Sequence, residues 1–136
     1  MEICAATDLS PAGDAAVALA LRWAEAHGAT AVLLHVVHDP VLAPALADDV
    51  PGDTQRARAA LEALAARANV PCHVEVRTAE DVASTIVAAS RGAAYLIVGS
   101  HGKSGWQRLR LGSVATAVLR QSHVPVVCLP AVASGA

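Results

Sequence analysis

The chain has 136 residues, so one domain is expected, and 54% of them are apolar, enough for a buried core. A net charge of −2 and an aromatic content of 2% argue against a nucleic-acid partner, which needs a basic face or a stacking platform. No apolar run approaches the roughly 18 residues that cross a bilayer. The opening MEICAATDLSP has an acidic second residue and no apolar signal region, so a cytoplasmic protein without membrane insertion is expected. Cys4, Cys72 and Cys128 are odd in number, far apart and form no C-x-x-C, which reads as reduced thiols in a cytosolic core.

In chain order, EICAAT (2–7) is a short apolar strand ended by Asp8, Ser10 and Pro11. Residues 11–28 have helical periodicity: Val17, Leu21 and Ala24 share one face, Asp14, Arg22 and Glu25 another, and Gly28 stops the helix. TAVLLHVV (30–37) is a second strand, apolar except for His35. Residues 38–51, with three prolines and three aspartates, read as a loop. A second helix is expected from Thr54 to Ala68, with Ala57, Ala60, Leu61, Leu64, Ala65 and Ala68 on one face and Arg58 able to pair with Glu62 on the other. CHVEVRT (72–78) alternates, which predicts a strand with one wet face at a sheet edge. Thr78 and Asp81 resemble a capping box opening a third helix over 79–91, which buries Val82, Thr85, Ile86 and Ala89 and ends at Gly92. AAYLIVG (93–99) is a continuous apolar run and predicts a central strand. A glycine-rich loop follows, then a helix from about Gly112 to Ser122 and a last strand, VPVVCLP (124–130).

Five strands alternating with four helices predict an α/β fold: one doubly wound, five-stranded parallel sheet with helices on both faces and right-handed crossovers. Placing the alternating third strand at an edge and the apolar ones inside gives the order 3-2-1-4-5. The winding then reverses between strands one and four. Ligands of open α/β sheets bind at such a reversal, outside the carboxyl ends of the strands. TDLSP, after strand one, and GSHGKSG, after strand four, would meet there.

The glycine loop is not a Walker A loop. Gly102-Lys103-Ser104 supplies its end, but the first glycine would have to stand at position 97, which is Ile97. Nor is it the dinucleotide fingerprint, because Gly99, Gly102 and Gly105 have the wrong spacing and follow the fourth strand. The spacing that remains is Gly99-x2-Gly102-x9-Gly112-Ser113. Gly99 would let a ribose approach the backbone, and Gly102 would turn N–H groups toward an anion. Gly112 and Ser113 open a helix whose free N–H groups and positive dipole end attract phosphate.

This spacing, with AATDLSPAGDAAVALAL at the front of the chain and LLHVV in the second strand, resembles the universal stress protein family, specifically its ATP-binding branch. The resemblance covers essentially the whole chain, although the region between strand two and helix two is short for the family. It implies that Asp8 contacts the adenine or ribose side of a nucleotide and that Val36 binds the adenine edge through its backbone and walls the base pocket. Val98 and Gly99 would line the ribose, His101 and Gly102 the phosphates, and Gly112, Ser113 and Val114 would hold the phosphates at the helix start. Ala6 stands where some nucleotide-binding members have proline, which would reshape the adenine pocket slightly. The implied ligand is ATP, or AMP or ADP, with Mg²⁺ or Mn²⁺ riding on the phosphates.

No histidine pair has H-x-x-x-H spacing, so no protein-built metal site is expected. Lys103, Arg108 and Arg110 could screen phosphate charge or simply face solvent. Trp106 reads as a packing or interface side chain. The last strand is apolar on both faces yet lies at an edge, which invites pairing. The C-terminal tail could cover it, or the same strand of a second subunit, around a two-fold axis; the resemblance favours the homodimer. The expected function is a nucleotide-responsive regulatory or accessory dimer. The alternatives are a slow ATP hydrolase or phosphotransferase, for which no motif fixes Asp8, His101 or Lys103 in catalytic roles, and a nucleotide-free protein-interaction scaffold.

Overall fold

The computed structural model describes residues 1–46, 49–100 and 111–130. Strand β1 (Glu2–Ala6) leads to helix α1 (Pro11–His27). The start of α1 is set locally: Ser10 Oγ accepts the Gly13 N–H at 3.3 Å, and Pro11 occupies the first turn, where its missing N–H costs nothing. Gly28, with φ 63°, ends the helix in the left-handed conformation that glycine adopts without strain. Strand β2 (Thr30–His38) and a short 3-10 turn (Pro44–Leu46) follow.

Helix α2 (Val50–Ala66) begins earlier than the expected Thr54, inside the stretch read as a loop. Pro51 suggested irregular chain, but in a first turn it is compatible with helix, and Asp49 caps the start by accepting the Gly52 N–H at 3.2 Å. Strand β3 (Cys72–Ala79) stays extended past Thr78, the first residue of the expected capping box. Asp81 is itself the cap of helix α3 (Val82–Ala89), accepting from Ser84 N–H at 3.1 Å. Strand β4 (Tyr95–Gly99), helix α4 (Ser113–Gln121) and strand β5 (Val126–Leu129) complete the described elements.

The sheet is parallel throughout, in the order β3-β2-β1-β4-β5. Its register is tight where it matters: Ala6 pairs with Leu34 on one side and Val98 on the other, and Val98 pairs with Cys128. The carboxyl ends of β1 and β4 therefore lie level, and β2 runs on past them. Helices α1 and α2 cover one face through Ala16, Val17, Ala20, Ala24 and Leu61, packed on Ile3, Ala5, Leu33 and Ile97. Helices α3 and α4 cover the other through Ala83, Ile86 and Val118, packed on Cys4, Ala6, Leu34, Leu96 and Val98. Each large side chain buried here contributes about 1.5–3 kcal/mol. The alanines of α1 let that helix sit close to the strands.

Three finer expectations are corrected. Ala60 is exposed while Ala57 and Leu61 are buried, because α2 presents a narrow stripe to the sheet edge. The ion pair on this helix joins Arg56 to Asp53, not Arg58 to Glu62. In α3 the fully buried residues are Ala83, Ile86 and Val87, with Val82, Thr85 and Ala89 half-buried. At the end of the sheet away from the crevice, Trp23 meets Tyr95 edge to face, with ring centroids 5.7 Å apart. Among the described residues, no helix is long and apolar enough to cross a membrane.

Cys4 is 1% exposed in the middle of β1. Burial, and then the charges of Glu75 and Glu2, push its thiol up to about 12. The half-buried Cys72 and Cys128 are also raised by burial. Ellman's reagent at pH 8 is therefore expected to modify Cys72 and Cys128 slowly in the native protein and Cys4 only after denaturation; rapid native modification of Cys4 would contradict its burial.

Candidate functional site

The loop leaving β1 is ordered by its own side chains. Thr7 Oγ1 accepts the Leu9 N–H at 2.9 Å, and Asp8 Oδ1 accepts the Ser10 N–H at 3.0 Å. These bonds hold Leu9 in the left-handed region, at φ 66°, a conformation costing about 1–2 kcal/mol for a non-glycine residue. The result is a reversal that takes the chain from the end of β1 directly into α1. Gly13 makes the reversal this tight: a Cβ there would strike Thr7 Oγ1 and lie 2.9 Å from Asp8 Oδ1. Asp8 itself is exposed at the mouth of the crevice.

Thr7 also ties the loop to β2. Its N–H donates to the Leu34 carbonyl at 2.9 Å, and its carbonyl accepts from His35 Nδ1 at 2.7 Å. A carbonyl only accepts, so Nδ1 carries the ring proton in this bond.

Across the crevice, β4 ends at Gly99. Its missing Cβ makes room for α1: a Cβ would lie 2.9 Å from both the carbonyl carbon and the Cβ of Ala12. That close approach of the helix is what a glycine at this position permits. Ser100 N–H then donates to the Leu129 carbonyl at 2.7 Å, and the Ser100 carbonyl accepts the Gly112 N–H at 2.6 Å. The two ends of the glycine-rich segment are thereby stitched together, and α4 starts beside the end of β4. Gly112, the residue before α4, has no side chain to cap it, in contrast to Ser10, Asp49 and Asp81 at the other three helices. Ser113 and Val114 are exposed at this start.

Charge divides the crevice into two sides. Asp14 lies in the first turn of α1, and its carboxyl is raised by burial and then by the neighbouring charge of Asp8. The Asp8–Asp14 side is thus negative and suits hydroxyl or amino donors. The α4 side offers N–H groups and the positive end of a helix dipole, and suits an anion.

The sequence model of the universal stress protein family matches residues 1–130. The chain belongs to the universal stress protein family. It is 32% identical over 137 residues to a universal stress protein of Mycolicibacterium smegmatis, an alignment covering 92% of this chain and 46% of that protein. It spans about half the length of the curated relatives it matches. Its fold superposes on the universal stress protein UspA from Lactobacillus plantarum with a TM-score of 0.81, at 22% identity, over 95% of this chain and 97% of the other. It also superposes on the universal stress protein from Archaeoglobus fulgidus in complex with dAMP, with a TM-score of 0.71 at 17% identity, over 94% and 96% of the two chains.

Within this universal stress fold, the residues singled out from the sequence fall into three groups. Ala6, Val36 and Val98 are buried together under α3 and α4, so their side chains form the floor and only the main chain of Val36 reaches past the end of β1. Asp8, Gly99, Gly112, Ser113 and Val114 surround the crevice. His101 and Gly102, with Lys103, Trp106, Arg108 and Arg110, lie outside the described residues. Sequence reading passed over Thr7, Gly13 and the contact made by His35. Ser10-Pro11-x-Gly13 carried a readable helix-start signal, and His35 was the polar residue in the middle of an otherwise apolar strand.

The two crowded glycines yield a prediction. Gly99→Ala meets the backbone and Cβ of Ala12, whereas Gly13→Ala meets Thr7 Oγ1 and Asp8 Oδ1 first and the Asp8 backbone nitrogen less closely. Urea denaturation is expected to show both variants destabilised by about 1–3 kcal/mol, with Gly99→Ala the worse. Equal stability to the parent at position 99 would contradict the Ala12 contact.

Proposed function

We propose that this chain binds an adenine nucleotide in the crevice between β1 and β4 and acts as a nucleotide-responsive regulatory module. The observation that carries this is that Asp8, the Val36 main chain and the start of α4, which no side chain caps, all lie at the carboxyl ends of the strands where the winding reverses. The dAMP complex of a structure with the same fold supports the adenylate assignment. The negative Asp8–Asp14 side favours the base and ribose, whose amino and hydroxyl groups donate. The start of α4 favours the phosphates. His101 and Gly102 would complete the phosphate cradle. Mg²⁺ or Mn²⁺ would arrive with the phosphates and be held chiefly by them; among the described residues no group of three or more His, Cys, Asp or Glu could hold a metal ion.

Calorimetric titration with ATP, ADP and AMP tests this reading. The native protein is expected to bind ATP, and Asp8→Ala to weaken binding by about 10- to 150-fold, the worth of a charge-assisted hydrogen bond of about 1.5–3 kcal/mol. Gly112→Pro, which alters the entry to α4 and removes the N–H held by Ser100, is expected to weaken ATP more than AMP. The absence of heat with every adenylate would refute the proposal.

We also infer a homodimer through β5. Leu96 N–H donates to the Pro125 carbonyl and Ser100 N–H to the Leu129 carbonyl, so alternate residues 125, 127 and 129 face β4. The main chains of Val126 and Cys128 therefore face outward from the edge of the sheet. Cys128→Pro removes one outward N–H and no bond within the sheet. Light scattering is expected to find a dimer for the parent and a monomer of native circular dichroism for Cys128→Pro; an unchanged dimer would place the interface elsewhere.

A further inference from the structure

The β1–β2 ladder ends in an unusual way. Thr7 N–H donates to the Leu34 carbonyl, one residue beyond the end of β1. In a parallel ladder alternate residues face the same neighbour, so the next bond would run from the Val36 N–H to the Thr7 carbonyl. That carbonyl is instead bonded to His35 Nδ1 at 2.7 Å. Among the described residues no main-chain bond joins Thr7 to Val36. Main-chain amides are obligatory donors, and one left without a partner near the interior is costly. Val36 is only 8% exposed. By the same alternation as Leu34, its N–H and C=O point past the end of β1, into the space where Asp8 stands.

We propose that His35 is a positioning residue: its imidazole takes over the Thr7 carbonyl, which keeps the Val36 N–H and C=O out of the strand ladder and presents them to a nucleotide base. This rests on the nucleotide-binding reading above. One residue's donor and acceptor, side by side, match adenine, whose N1 accepts and whose amino group donates. Guanine places a donor and an acceptor in the opposite order along that edge, so both contacts would be mismatched. His35 touches no ligand; it acts by occupying the one acceptor that would otherwise close the ladder over the base site.

The test compares the parent with His35→Ala and His35→Asn in titrations with ATP and GTP. Asparagine Nδ2 lies close to where histidine Nδ1 does and carries an N–H, so it should restore the bond to Thr7. The parent is expected to prefer ATP. His35→Ala is expected to lose about tenfold in ATP affinity, the scale of one hydrogen bond, with GTP affinity unchanged. His35→Asn is expected to stay within about threefold of the parent. Should His35→Ala not fold, His35→Gln, whose amide lies nearer the position of Nε2, is expected to show the same loss. An alanine or glutamine variant with the parent's ATP-to-GTP ratio would overturn the proposal. So would an asparagine variant as impaired as alanine, or an equal loss of ATP and GTP. If the parent binds no nucleotide, the reading of the crevice falls as well; if the parent binds and the ratio survives the loss of His35, only the role of His35 falls.

Discussion

A helix can lie directly against the ends of two parallel strands only if no Cβ stands between them. Here two glycines remove that obstacle. Gly13 lets the first turn of α1 press on Thr7 and Asp8, and Gly99 lets the same turn press on the end of β4 through Ala12. The helix thus bridges the two strands at which the winding of the sheet reverses. Had either glycine a side chain, α1 would stand off, Asp8 would move away from β4, and the crevice would lose the wall that defines it. Most of what the molecule offers a ligand follows from this close approach.

Thr7 is where that approach is converted into a defined loop. Its three polar groups are all engaged: the N–H with Leu34, the hydroxyl with Leu9, the carbonyl with His35. Together with the Asp8–Ser10 bond, these contacts hold the strained Leu9 conformation. Each bond contributes about 0.5–1.5 kcal/mol, so two or three of them offset the cost of one left-handed leucine. The strain is local, and it aims Asp8 at the crevice.

The opposite wall obeys a different rule. Helices α1, α2 and α3 satisfy an early amide with their own capping oxygen, from Ser10, Asp49 and Asp81. Helix α4 starts from Gly112, which supplies none and whose own N–H is committed to Ser100. The carboxyl end of β1 therefore carries carboxylates, whereas the start of α4 beside β4 carries main-chain amides without a side-chain cap.

The sequence by itself determined the order and type of the main elements, the parallel sheet, its strand order and the point at which its winding reverses. Those depend on periodicity, on local stop signals and on the single wet strand at an edge, all of which are short-range in the chain. The family was legible too, from the spacing of Gly99, Gly102, Gly112 and Ser113 together with the segment around Asp8. Helix starts were misread at Val50 and Val82 because proline and aspartate serve both loops and first turns, and neighbouring residues do not decide between them. What only the tertiary structure decided were partnerships between distant segments. Gly99 turned out to be small for the sake of Ala12, Arg56 rather than Arg58 found an acid, and the Thr7 carbonyl chose the His35 ring over the Val36 amide. Each is a competition between partners brought together by folding, and its outcome depends on distances of a few tenths of an ångström that composition and spacing do not encode.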